Sequence, residues 1–397
     1  MSYRTLASAD LTGKRVLLRA GFDLPMSDGI VTDSTRVEAL VPTMKHILDA
    51  GALLIIMAHQ GRPKDGPEPK FSQNPIVPVL KKLLGVTVHF AEDCIGEKAE
   101  QAVSAAKAGE VVLLENLRFH PEEKKNAPEF AEKLASLADV YVNDAFTNCH
   151  RAHASMVGVP KLLPAYMGLS LEEEVKHLSI VLESPARPLT LIVSGSKMET
   201  KVPVIERFLD RGDAILVGGC IANTFIAARG HTVGSSKYDP AEVPKAEEML
   251  RTSDNENNAT IVVPEDVLVA QKPDETAETS IVSVENISET SSIFDLGPKT
   301  VDAYIDVIHE SKTIVWNGPL GVYEVAQFST ATKRLAEAIS KATEAGATSI
   351  LGGGDTIDFH LKYGFPLSAY TFVSMGGGAM LEFISGKTFE SLELLRK

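Results

Sequence analysis

The sequence predicts an α/β protein with parallel sheets, in two domains joined by a long connector helix. Three observations carry that expectation. Apolar runs of strand length alternate with amphipathic segments of helix length along the whole chain, the rhythm of stacked βαβ units. The 397 residues suit roughly two domains of ~100–200 residues each. Near the middle, Leu171, Val175, Leu178 and Leu182 fall on one helical face, with Ser170 and Glu173 as a capping box and Pro185 and Pro188 as stops.

Taken in order, the first-half strands are expected near 15–19, 52–58, 86–90, 111–115 and 139–143. Those of the second half are expected near 189–194, 214–218, 260–263, 313–316, 348–351 and 370–374. Polar stretches at 251–260 and 272–292 read as surface loops or small hairpins. The division is an N-terminal domain at 1–168, a connector at 169–184, a C-terminal domain at 185–380 and a tail at 381–397.

Composition excludes several classes. A hydrophobic content of 44% fills two cores, yet no apolar run reaches the ~18 residues of a membrane span. The first residues start no secretory signal. Three scattered cysteines, Cys94, Cys149 and Cys220, suit a reducing cytoplasm better than a disulfide framework. A net charge of −14 argues against nucleic acid, whose binding requires a basic face. No spacing of His and Cys resembles a zinc site.

The two halves end their strands differently. First-half strands run into Arg19, His59-Gln60-Gly61-Arg62, Arg118 and, past Asn143-Asp144, His150-Arg151. Arg36 follows the turn Ser27-Asp28-Gly29. A convergence of Arg19, Arg36, His59, Arg62, Arg118 and Arg151 would repel itself without an anion to neutralise it, and guanidinium forks suit a small, highly charged one. Each arginine alone also reads as a solvated charge or the partner of a nearby acid. His59 reads as an anion ligand in preference to a general base. His150 and His153 read as structural, and Glu122-Glu123 as a solvated loop.

Second-half strands run into glycines: Ser194-Gly195, Gly218-Gly219, Gly352-Gly353-Gly354 and Gly376-Gly377-Gly378. Bare backbone N–H groups at such turns can approach polyphosphate. No Walker A loop is present, and no cluster completes G-x-G-x-x-G, which disfavours a nicotinamide dehydrogenase. Asp355 either caps a helix or holds Mg²⁺ beside a phosphate. Glu324, closing Trp316-Asn317-Gly318-Pro319 and the turn beyond it, can accept ribose hydroxyls. Lys197 and Lys201, four apart, share a face if helical, an unfavourable pairing without an anion.

Taken together, these segments resemble the phosphoglycerate kinase family almost from end to end. The carriers are Thr32-Asp33-Ser34-Thr35-Arg36, His59-Gln60-Gly61-Arg62-Pro63, Leu113-Leu114-Glu115-Asn116-Leu117-Arg118-Phe119-His120, Val142-Asn143-Asp144-Ala145-Phe146 and His150-Arg151-Ala152-His153. They continue with Trp316-Asn317-Gly318-Pro319, Gly352-Gly353-Gly354-Asp355-Thr356 and Gly376-Gly377-Gly378-Ala379. The resemblance implies two Rossmann-like domains, a C-terminal tail returning to the first, and phosphoryl transfer between 1,3-bisphosphoglycerate and ADP by domain closure. It implies ATP/ADP with Mg²⁺, no membrane or nucleic-acid partner, and a monomer.

By position, the resemblance makes Arg19, Gly21, Phe22, Asp23, Arg36, His59, Gln60, Gly61, Arg62, Arg118 and Arg151 the substrate-binding set. Gly195, Lys197, Lys201, Gly219, Ile293, Asn317, Pro319, Glu324, Gly352, Gly353, Gly354, Asp355 and Thr356 become the nucleotide-binding set, Asp355 through the Mg-nucleotide. Arg36, Lys197, Lys201, Gly376 and Gly377 become the catalytic set. The chain departs from the family pattern in places. Gly21 and Asp23 stand in Arg19-Ala20-Gly21-Phe22-Asp23-Leu24-Pro25 where R-V-D-F-N-V-P is usual. Thr147-Asn148-Cys149 replaces G-T-A, Ser194 and Cys220 replace glycines, and Ile293-Phe294 replaces G-L. These changes motivate the alternative of a family member that binds nucleotide or a partner without turnover.

Overall fold

The computed structural model describes residues 2–64 and 66–397. The chain divides into two units, Met1–Lys176 with Thr388–Lys397, and His177–Lys387. In the first, strands β1 (Arg15–Ala20), β2 (Leu53–Met57), β3 (Val88–Ala91), β4 (Val111–Leu114), β5 (Val140–Asp144) and β6 (Ala165–Met167) form one sheet. Their order is β3-β4-β2-β1-β5-β6, parallel throughout. Leu17, Leu18, Leu54, Ile55, Val112 and Leu113 are fully buried. That is why these strands read as unbroken apolar runs: both faces are covered. Register sets Arg19 opposite Met57 on one side and Asn143 on the other. The residues that follow, His59 and Asp144 among them, therefore emerge along one edge of the sheet.

In the second unit, β7 (Leu189–Val193), β8 (Ala214–Val217) and β9 (Thr260–Val262) are followed by β10 (Asp266–Ala270), β11 (Ser280–Ser283) and β12 (Ser292–Leu296). β13 (Thr313–Asn317), β14 (Thr348–Gly352) and β15 (Phe372–Ser374) complete it. The main sheet runs β9-β8-β7-β13-β14-β15, all parallel. Strands are added outward in opposite directions from β7 and from β13, so a crevice opens beyond the carboxyl ends of these two parallel strands, where such sheets hold ligands. Of a separate antiparallel sheet, β11-β10-β12, only β11 lies inside the 272–292 stretch expected to be loop or small hairpin. β6, β10 and β12 were not anticipated.

The connector is a helix, Leu169–Glu183, which begins in the first unit and ends in the second. Asp144, at the end of β5, takes the N–H of Leu171 at 2.7 Å, and Thr43 Oγ1 takes that of Leu169 at 2.9 Å. Burial pushes the Asp144 carboxyl up to about 6, against its hydrogen bonds from Thr43 and the helix N-terminus. The segment that folds with the first unit is Thr388–Lys397, while residues 381–387 belong to the second. Ser391 Oγ donates to the carbonyl of Cys149 at 2.8 Å, and Arg4 N–H donates to that of Leu395 at 2.8 Å. No described helix is long and apolar enough to cross a membrane.

Candidate active site

In the first unit, Arg19 is buried at the end of β1. Its Nε donates to Ser155 Oγ at 2.9 Å, and its second terminal nitrogen lies 3.2 Å from His59 Nδ1. An arginine can only donate, so Nδ1 is the acceptor and the ring proton sits on Nε2. His59 Nε2 in turn faces Asp23 Oδ2 at 3.5 Å. Burial, reinforced by Arg19 and Arg118, pulls the imidazole down to about 3 against the pull of Asp23. His59 is a neutral spacer between a guanidinium and a carboxylate, its one ring proton directed at Asp23, and it holds no second, acidic proton at neutral pH.

Arg118 donates to the carbonyl of Gly61 at 2.7 Å, and its Nε is buried without a partner among the described residues. Burial first, then Arg151 and Arg19, lowers it to about 10, which shows that the three guanidiniums share one field. Arg36, on the short helix Thr35–Glu38, donates to the carbonyls of Phe22 and Asp23 at 3.1 and 2.7 Å. Arg151 Nε donates to His150 Nε2 at 3.1 Å. Arg62 is exposed and stands beside the cluster rather than within its network. A field of this sign, with open guanidinium donors, binds a small polyanion.

Several expected ligands work through the backbone instead. Phe22 is fully buried and offers its carbonyl. Gln60 is buried, with its amide locked onto Leu24: Oε1 accepts the Leu24 N–H at 2.9 Å and Nε2 donates to the Leu24 carbonyl at 2.6 Å. Gly61 has φ +61°, and a Cβ there would sit 2.3 Å from the Phe71 ring. At Gly21 a Cβ would meet Thr147 Oγ1 at 3.2 Å. The departures at 21 and 147 are therefore neighbours in space, and Thr147 limits the room for a side chain at 21.

Two residues escaped the sequence reading. Asn116 is buried and accepts from the N–H groups of Gln60 and Arg118 at 3.1 and 3.0 Å. Its Nδ2 donates to the carbonyls of Gln60 and Phe71, so it fixes the loop that bears Gly61. Glu123, expected in a solvated loop, is fully buried and holds Ser155 through its N–H at 2.9 Å and its hydroxyl at 2.6 Å. Ser155 is the partner of Arg19, so a buried acid steadies the buried base. The fold also brings Asp93, Cys94 and His120 within 4.8 Å of one another, although Asp93 and His120 already pair at 2.7 Å and Cys94 is fully buried.

The second unit holds two adjoining cavities of about 440 and 290 Å³ that share Ser194, Gly195, Ser196 and Asp355. The larger is walled by Gly219, Cys220, Ile293, Phe294, Pro319, Tyr323 and Glu324, with Asn223 and Lys237 as members the sequence did not single out. The smaller is lined by Lys197, Thr200, Lys201, Asn317, Gly353, Gly354, Thr356, Gly377 and Gly378. One is mostly apolar and one is polar and glycine-lined, as a base and its phosphates require.

Lys197 and Lys201 do not share a helical face. The helix begins at Val202, with Lys201 as its cap, because Met198 anchors the turn: the N–H groups of Lys201 and Val202 both donate to its carbonyl. Pro203 in the first turn suits a helix that starts there. Lys197 is exposed; Lys201 is half-buried and donates to Asn317 Oδ1 at 2.9 Å. Burial lowers its ammonium to about 8, against the attraction of Asp355. Asp355 does not cap its helix, Gly354–Tyr363, whose preceding residue is Gly353 at φ +101°. Gly352 and Gly376 lie behind the cavities: the Gly352 carbonyl accepts from Asn317 and Thr356, and Gly376 N–H donates to Ser374 Oγ at 3.1 Å. Gly377 has φ +54° and heads the helix Gly378–Ile384.

The family pattern described as "Phosphoglycerate kinase" matches residues 6–387. The chain belongs to the phosphoglycerate kinase family. It is 44% identical to the phosphoglycerate kinase of Methylorubrum populi over 396 residues, covering 99% of this chain and 98% of that one. The phosphoglycerate kinase of Coxiella burnetii superposes with a TM-score of 0.89 at 35% identity, covering 99% and 98% of the two chains. That of Pyrococcus horikoshii does so with 0.85 at 32% identity over the same shares. Within a phosphoglycerate kinase fold, the close approach at Gly318 is a sharp test of the cavity walls. Gly318 has φ +97°, and a Cβ there would lie 2.5 Å from the Ser194 carbonyl oxygen. Backbone cannot yield as a side chain tip does, so Gly318→Ala is expected to destabilise the second unit by about 3 kcal/mol. Urea unfolding would read this as a lowered midpoint, and an unchanged midpoint would show that the turn relaxes.

Proposed function

We propose that the chain transfers a phosphoryl group reversibly between 1,3-bisphosphoglycerate and ADP, giving 3-phosphoglycerate and ATP. The observation that carries this reading is the pair of complementary anion sites: a guanidinium cluster in the first unit and a glycine-lined cavity beside a base-sized one in the second. In the ATP-consuming direction a carboxylate oxygen of 3-phosphoglycerate attacks the γ-phosphorus, and the bond to the β–γ bridging oxygen breaks as ADP departs. That nucleophile is already ionised at neutral pH, so no general base is needed, in keeping with a neutral, fully engaged His59. Rate must come from alignment and from neutralising charge on the moving group.

Arg19, Arg118 and Arg151 hold the phosphoglycerate, with Arg36 beside them. Lys201, Lys197 and the N–H groups of Gly353, Gly354, Gly377 and Gly378 hold the nucleotide phosphates. The cavity between Ile293, Phe294 and Glu324 takes the base and ribose. Asp355 fits Mg²⁺: its exposed carboxylate lines both cavities and makes no ion pair or hydrogen bond among the described residues. When bound with the nucleotide, the ion offsets phosphate charge. The two substrates occupy different units, so transfer requires the units to close on one another. The setting is the cytoplasm, with the protein acting as a monomer.

A coupled assay that follows ADP formation from ATP and 3-phosphoglycerate is expected to show turnover that depends on both substrates and on Mg²⁺. No rate at saturating concentrations would overturn the reading.

A further inference from the structure

We propose that Asp23 is a resident counter-anion of the arginine cluster, so that an incoming phosphoglycerate binds against it and the residue holds substrate affinity down. This rests on the first unit being the phosphoglycerate site. It reverses the expectation that Asp23 is a substrate ligand.

The geometry fixes the carboxylate in place. Asp23 has φ +56°, a left-handed backbone that a side chain other than glycine adopts uncommonly. Its Oδ1 accepts the Gly61 N–H at 2.7 Å, and its Oδ2 faces His59 Nε2 at 3.5 Å. Arg36 reaches the Asp23 carbonyl at 2.7 Å. Burial works to raise this carboxyl, but the His59 and Gly61 contacts and the Arg36 charge outweigh it and hold the group well below the ordinary range. It is therefore ionised throughout the working pH range.

Among the acids of this cluster, Asp23 is the one a ligand meets. Glu123 also faces the guanidiniums, but it is fully buried with both oxygens held by Ser155. The Asp23 side chain keeps 40% of its surface exposed. The other charged groups of the site are Arg19, Arg36, Arg118 and Arg151, while His59 is neutral. One fixed negative charge thus partly neutralises the cluster before substrate arrives. Phosphate and carboxylate groups must bind beside a like charge that asparagine would not carry. Asparagine at this position can still accept from Gly61 N–H, with its Nδ2 then standing where Oδ2 faced His59 Nε2, and serine removes the charge without setting two donors against each other. With screening near that of water at this partly exposed carboxylate, a like charge a few ångströms away is worth about a factor of ten in affinity.

The test compares the parent with Asp23→Asn and Asp23→Ser, all checked for an unchanged melting temperature. Calorimetry with 3-phosphoglycerate, and separately with inorganic phosphate, reads affinity without turnover. The coupled assay reads KM. Both variants are expected to bind both anions about tenfold more tightly, with KM for 3-phosphoglycerate falling in parallel and a steeper loss of affinity with added salt. Unchanged or weaker binding in folded variants would overturn the proposal and make Asp23 a positioning group for the Gly61 loop. A parent that binds both anions without turning over would instead count against the kinase reading, and the binding comparison would still decide the role of Asp23.

Discussion

Arg36→Ala should lower kcat about 10²–10³-fold while leaving the melting temperature within a few degrees of the parent. The side chain is half-buried on a helix of only four residues, and its bonds run to the Phe22 and Asp23 carbonyls. Arg36 is itself only half-buried, so water can follow into the space its guanidinium leaves beside those carbonyls, and little stability is lost. What water cannot replace is a fixed positive charge aimed at a phosphoryl group in flight, and losing one such preorganised donor costs about 10²–10³-fold. Arg36→Lys restores the charge without the planar fork and should recover only part of the rate. Turnover at saturating ATP and 3-phosphoglycerate measures this directly. A kcat for Arg36→Ala within fivefold of the parent would remove Arg36 from the reacting centre.

The second large effect concerns Lys201. Its ammonium is lowered to about 8 by burial beside the glycine-lined cavity. In the free protein the cation is present below that value and is lost as pH rises through it. Because kcat/KM reports the free enzyme, its value for ATP should be level from pH 6 to 7.5 and fall toward pH 9. Lys201→Met should lower kcat/KM for ATP about 100-fold at pH 7 and flatten the profile above it, since the titrating group is gone. A variant that keeps the alkaline fall would place the titration elsewhere. One that keeps parental kcat/KM would return Lys201 to a purely structural bond with Asn317.

The fold was legible where burial alone decides structure. Each strand of the two parallel sheets except β6 was visible as an apolar run, because strands covered on both faces need no alternation. β6, Ala165–Met167, is wedged between Pro164 and Gly168, residues that read as turn punctuation and not as the flanks of a strand. β11, Ser-Ile-Val-Ser, is mostly exposed and carries no apolar face to read. The candidate site was legible in its charges and glycines but not in its supports. Glu123 is buried by Ser155, which arrives 32 positions later, and no local pattern announces that meeting. The spacing of Lys197 and Lys201 puts them on one face only if the segment is helical, whereas the Met198 turn holds the helix back until Val202. That Thr147 borders the space beside Gly21 is a tertiary contact that neither segment displays on its own.

The last ten residues fold with the unit that begins the chain, so the polypeptide passes between the units twice. A ribosome therefore releases every segment of the later unit before the earlier one can bury Phe389 against Phe146 or engage Cys149 through Ser391. During synthesis the arm that carries His150 and Arg151 waits, without its closing clasp, for the final stretch to emerge.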